Sequence, residues 1–163
     1  MDCRVADEDL ARRRSEGLVT TYYVCCSSAF PNTFTFSQPW EACYMGWFAA
    51  AAGYDGLLRW AYNSWPADPQ RDSRFTAWPA GDTFIVYPGA RSSVRFERLR
   101  EGIQDYEKIR LLREELMADP SDEHAAQLAA LDRTLARFAE PDPSQPWPEL
   151  LAEARRLLDS IGR

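Results

Sequence analysis

Residues 39–53, PWEACYMGWFAAAAG, restrict the fold more than any other stretch of this chain. The Ala-rich composition favours a helix, with Ser37 as its cap, Pro39 near the first turn and Gly53 closing the end. Such a helix is apolar nearly all round. Protein must therefore cover it on most sides, which places it between strands and neighbouring helices.

The flanking sequence supplies those neighbours. Residues 18–27 (LVTTYYVCCS) are dense in β-branched and aromatic side chains and read as a strand buried on both faces. Asp55-Gly56 is a turn signal, after which 56–63 reads as a second strand running into a polar loop over 64–81. Residues 83–87 (TFIVY) form a third short strand, stopped by Pro88-Gly89. Ser92 or Ser93 then caps a long helix over 94–117, where Phe96, Leu99, Ile103, Tyr106, Ile109, Leu112 and Leu116 make an apolar stripe. A short polar helix over 7–16 ends at Gly17, and a loop over 28–38 is weighted by Phe30, Phe34 and Phe36. Helices over 122–138 and 148–161, joined by a Pro-containing linker at 141–148, form the tail. The alternation of strand and helix predicts a parallel sheet of α/β class. Three strands are few for that architecture, so further strands or a partner complete the sheet.

The 163 residues are 45% hydrophobic and 13% aromatic, enough for a core, and a net charge of −6 disfavours a nucleic-acid or anionic-membrane surface. Arg12-Arg13-Arg14 reads as the solvated side of the first helix. No apolar run approaches the roughly 20 residues needed to cross a bilayer, and the first 20 are too charged for a secretory signal. Localisation stays open. Cys3, Cys25, Cys26 and Cys43 lack CxxC spacing and read as free thiols, with Cys25 and Cys26 on opposite faces of a strand. His124 is the only histidine and lies in the tail, which disfavours a Ser/His/Asp site or a histidine-rich metal site. No cofactor is expected.

The run Arg59-Trp60-Ala61-Tyr62-Asn63-Ser64-Trp65 places aromatics and an amide at a strand's carboxyl end, where ligands bind in α/β sheets and barrels. Flat rings beside an amide suit a sugar, whose C–H face stacks while its hydroxyls need hydrogen bonds. The competing reading is a core strand whose Trp side chains fill space. The charged run 95–101 reads as helical ion pairs.

Four stretches, YYVCCSSAFPNTFTF (22–36), GLLRWAYNSW (56–65), WPAGDTFIVYPG (78–89) and SSVRFERLREGIQDYEKIRLL (92–112), resemble in order the carboxyl-terminal part of the glycoside hydrolase family 123 catalytic domain, also described as domain of unknown function 4091. The resemblance covers about residues 15–118. It implies a partial (β/α)8 TIM barrel, contributing strands six to eight, with 119–163 as a helical tail packed upon it. It also implies a β-N-acetylgalactosaminidase that works by substrate-assisted retention. There the acetamido oxygen attacks the anomeric carbon, one carboxylate orients it, and a neighbouring acid protonates the leaving oxygen.

The family's catalytic Asp-Glu pair ends a middle strand, upstream of the matched region. Asp7-Glu8 and Asp122-Glu123 each open a predicted helix instead, where acidic side chains favour the exposed N–H groups. No catalytic residue is therefore assigned, and the chain alone is expected to be inactive. Its expected role is one wall of the pocket for a β-linked N-acetylhexosamine. The candidate contacts are Trp60, Asn63 and Trp65 after strand seven, Tyr87 after strand eight, and Tyr23, with Cys26 beside it, near the end of strand six. Trp78 and Asp82 read as structural. The alternatives are a non-catalytic carbohydrate-binding or structural remnant, and a purely scaffolding helical module. A severed barrel also predicts self-association through its open edge.

Overall fold

The fold is given by a computed structural model that describes residues 4–162. Cys3 lies outside the described residues. The elements in chain order are α1 (Asp7–Ser15), β1 (Thr21–Tyr23), α2 (Pro39–Ala51), β2 (Gly56–Leu58), α3 (Val94–Ala118), α4 (Asp122–Ala136) and α5 (Trp147–Ile161).

Helix α2 starts one residue from the expected cap. Gln38, not Ser37, holds that position, and Glu41 completes a capping box by accepting from the Gln38 N–H at 2.7 Å. Gly53 follows the helix at φ 72°, a conformation that costs glycine nothing, and turns the chain towards β2. Ser93 caps α3 by accepting from the Phe96 N–H, and Ser121 caps α4 by accepting from the His124 N–H.

As its composition requires, α2 is enclosed. Tyr44 and Trp47 are fully buried. Helix α3 packs along one side, while α4 and α5 close another through Phe138 and Trp147. The Trp47 ring stacks on Phe138 at 4.8 Å, and the Tyr44 ring lies 4.5 Å from that of Trp147, whose helix begins there and not at Pro148. The Tyr44 hydroxyl donates to the Phe138 carbonyl at 3.0 Å, so the buried phenol has its partner. Along α3, Ile109, Leu112 and Leu116 are buried as the stripe predicts, but Ile103 is exposed.

β1 and β2 are parallel, with Thr21 opposite Gly56, Tyr22 opposite Leu57 and Tyr23 opposite Leu58, and α2 is the crossover between them. The expected strands are longer than the real ones. Leu18 and Val19 precede the ladder and are exposed, and β2 stops at Leu58. Cys25 and Cys26 follow β1 at a turn, so the opposite-face reading of a strand does not apply to them.

The third strand, 83–87, is not a strand. Phe84 makes a single antiparallel bridge to Asn63, and Tyr87 another to Arg91. The TFIVY pattern registers burial correctly, since Phe84 and Ile85 are wholly enclosed, but residues 59–93 form one folded-back connection with no ladder. The structure is thus an α/β arrangement of helices on a two-stranded parallel sheet, each strand paired on one side only. Among the described residues, no helix is long and apolar enough to cross a membrane.

Candidate functional site

The carboxyl ends of β1 and β2 point the same way, and the 59–93 connection returns over them. Tyr23 closes β1 with its ring exposed. Trp60 follows β2, and the connection brings Trp78 back against it, the two rings 5.5 Å apart and tilted by 59°. Both are solvent-facing, Trp60 at 40% and Trp78 at 42% exposure. The two large rings lie side by side at the surface and form an apolar shelf.

Charged groups lie under this shelf. Arg59 donates to the Thr33 hydroxyl at 2.6 Å and to the Asp82 carbonyl at 2.6 Å. Arg95, from the first turn of α3, donates to the carbonyls of Thr33 and Gly81 and lies over the Phe84 ring at 5.2 Å. Burial brings Arg59 down to about 10, with the nearby Arg95 adding to it, so it remains a cation at neutral pH. Burial also lowers Arg95. Asp82 is 1% exposed, and burial pushes its carboxyl above the ordinary range, opposed by the nearby Arg59 guanidinium. Neither Asp82 oxygen has a hydrogen-bond partner among the described residues.

At the β1 end, hydrogen bonding to Ser27 lowers the Cys25 thiol, whereas the small desolvation of Cys26 and its neighbour Cys25 raise that thiol. Slight burial and the two thiols raise the Tyr23 phenol.

Of the residues expected from sequence, Trp60 is half of this shelf, and Tyr23 lies exposed at the end of β1. Asn63, Trp65 and Tyr87 belong to the folded-back connection. Asn63 is exposed and bridges to Phe84. The Trp65 indole donates to the Val86 carbonyl at 2.7 Å, which pins the connection. Tyr87 is half-buried with its ring edge-on to Phe84 at 5.3 Å, next to Arg95. Trp78, read from sequence as structural, is instead half of the exposed pair. Arg59 and Asp82 were not legible as site residues, although a charge between Leu58 and Trp60, and an acid between Gly81 and an apolar run, are the signals that mark them. Asp7-Glu8 and Asp122-Glu123 sit in the exposed first turns of α1 and α4.

Residues 2–112 match the family model described as "Glycoside hydrolase 123, catalytic domain". The chain belongs to glycoside hydrolase family 123. Its fold is also similar to that of a solved family 123 glycoside hydrolase from Clostridium perfringens, reported in connection with glycolipid glycan hydrolysis. The TM-score is 0.72 at 24% sequence identity, over 95% of this chain and 29% of that one. A comparison with the curated proteins finds no match. At that identity the likeness bears on the fold, and this family 123 chain spans 29% of the length of the solved relative.

Proposed function

We propose that this family 123 chain forms one wall of the sugar site of a glycosidase that cleaves β-linked N-acetylhexosamine, N-acetylgalactosamine foremost, by substrate-assisted retention. The observation that carries the reading is the exposed Trp60–Trp78 pair, set above a buried charged cluster at the carboxyl ends of a parallel strand pair. In this reading β1–α2 and β2–α3 are consecutive units of a (β/α)8 wall within residues 1–118, and 119–163 are a helical tail packed on it. Two units are assigned, because 83–87 is no strand.

The role proposed for these residues is binding and orientation. Trp60 and Trp78 take the C–H face of the ring, and Tyr23 offers its hydroxyl to a sugar hydroxyl. The acid and the orienting carboxylate of the mechanism are assigned to neither Asp-Glu pair of this chain, since both lie in exposed helix starts. The free edges of β1 and β2 are where further barrel strands or a second copy would pair, so the isolated chain is expected to self-associate.

Titration calorimetry with N-acetylgalactosamine tests the reading. Binding by the wild-type chain that weakens about tenfold or more in Trp60→Ala, roughly 1.4 kcal/mol, supports it. Equal binding by both proteins, or none by either, rejects it. The second reading, a carbohydrate-binding or structural remnant without catalysis, draws on the core that the described residues build around Trp47 and Trp147. It predicts the same binding with no hydrolysis, even when the chain is part of a longer protein.

A further inference from the structure

Two guanidiniums meet at one carbonyl beneath the aromatic shelf. Arg59 Nη2 lies 3.4 Å and Arg95 Nη1 2.8 Å from the Gly81 oxygen. Like charges brought together under cover are unfavourable unless each finds strong partners. Here the partners are backbone and a hydroxyl. Arg59 also donates to the Asp82 carbonyl and the Thr33 hydroxyl, both at 2.6 Å, and Arg95 donates to the Thr33 carbonyl. Both carboxylate oxygens of Asp82 stay without a partner beside them. The guanidiniums are thus committed to holding chain in place, and what that chain carries is the reason.

It carries the two rings. Trp60 directly follows Arg59 in the sequence, and Trp78 directly precedes the turn that presents the Gly81 and Asp82 carbonyls. That turn is closed by the Asp82 N–H, which donates to the Pro79 carbonyl at 3.0 Å. Farther along, backbone bonds join the two arms of the connection, from the Ile85 N–H to the Tyr62 carbonyl and from the Ser64 N–H to the Thr83 carbonyl. Between residues 59–61 and 78–82, by contrast, every hydrogen bond among the described residues comes from the Arg59 guanidinium. The held turn has little play. Gly81 sits at φ 81°, and a Cβ on it would lie 2.7 Å from Thr35 Cγ2 and 2.8 Å from Arg95 Nη1.

We propose that Arg59 is a positioning residue for the aromatic shelf, its planar fork spanning Thr33 and the carbonyls of 81 and 82 so that Trp78 is set beside Trp60. Arginine suits the task, because its donors lie in one rigid plane and its charge persists under cover. Arg95 holds Thr33 and Gly81 from the first turn of α3 and so secures the same two points from a second element. The shelf's use in sugar binding rests on the function proposed above, but its alignment does not.

The test reads the ring pair without any sugar, as proton nuclear Overhauser contacts between the Trp60 and Trp78 indoles in the wild-type chain and in Arg59→Met. Methionine keeps an unbranched side chain and removes every donor. The expected result is contacts in the wild type that are lost in Arg59→Met, while the indole resonances of Trp47 and Trp147 stay in place. Contacts that persist in the variant overturn the proposal. Should Arg59→Met not fold, Thr33→Val removes the hydroxyl that the fork grips, keeps the side chain's shape and is expected to weaken the same contacts; unchanged contacts there overturn it equally. Arg59→Met is further expected to weaken N-acetylgalactosamine binding about fivefold through lost preorganisation, and to add nothing in a Trp78→Ala background. Additive losses overturn the positioning role. If the wild-type chain binds no sugar, the proposed function fails while the ring contacts still decide the alignment.

Discussion

Gly46 of α2 and Gly102 of α3 meet so closely that neither has room for a Cβ. One built on Gly46 would lie 2.0 Å from the Gly102 carbonyl oxygen, and one on Gly102 would lie 2.5 Å from the carbonyl oxygen of Cys43. Backbone touches backbone there, and no side chain can yield. Gly102→Ala would gain about 1 kcal/mol of helix propensity at an unpacked site. Here the clash decides the sign, and equilibrium urea unfolding is expected to show a loss of about 2–3 kcal/mol. A neutral or stabilising effect would contradict the packing.

Asp105 is the second tie between these helices and the tail. Its carboxylate accepts from the Trp47 indole at 2.8 Å and from Arg155 Nε of α5 at 2.8 Å. Asp105→Ala leaves a buried indole N–H unmatched and removes one of the two carboxylates paired with Arg155, which keeps Glu101 at 3.1 Å, so a loss of about 2 kcal/mol is expected in the same unfolding assay. Asp105→Asn, which keeps one acceptor, should lose less. Equal effects of the two variants would show that the carboxylate does not serve both donors.

The thiols should separate by reactivity. Hydrogen bonds from Ser27 lower Cys25, whereas burial pushes Cys43 up to about 12. Thiolate is the attacking form, so iodoacetamide at pH 8 should label Cys25 well before Cys43 by peptide mass mapping. The Cys43 shift has a stability consequence. Its folded value lies above its unfolded value, so its contribution is fully present below the ordinary thiol range near 8.5 and is lost as pH rises towards about 12. Cys43→Ala should flatten that alkaline decline; an unaltered decline would assign it to other groups.

Sequence reading located the helices because their signals are local. The Ser93 cap and the apolar density of α2 need no knowledge of distant residues. The strand over 83–87 failed for the opposite reason. Alternating and continuous apolar runs report burial, and Phe84 and Ile85 are indeed enclosed, but a ladder partner is a property of the fold. Tyr23 and Trp60 were legible as site candidates because the chain leaves the sheet at a strand's carboxyl end and exposes its side chains there. Trp78 was not, because 17 residues separate it from Trp60 and only the return of the connection brings the two rings together. Trp65 lies in the same connection, where its indole donates to the Val86 carbonyl, a partner that no local pattern specifies.

Two of the six tryptophans, Trp47 and Trp147, are fully buried, whereas Trp60 and Trp78 form the exposed pair, so the protein carries its own internal control. The most direct measurement is a nitrogen-15 NMR spectrum of the indole N–H groups during addition of N-acetylgalactosamine. The account predicts saturable shifts of the Trp60 and Trp78 resonances with those of Trp47 and Trp147 unmoved. Unmoved Trp60 and Trp78 resonances, or equal movement of all four, would contradict a sugar site on this shelf.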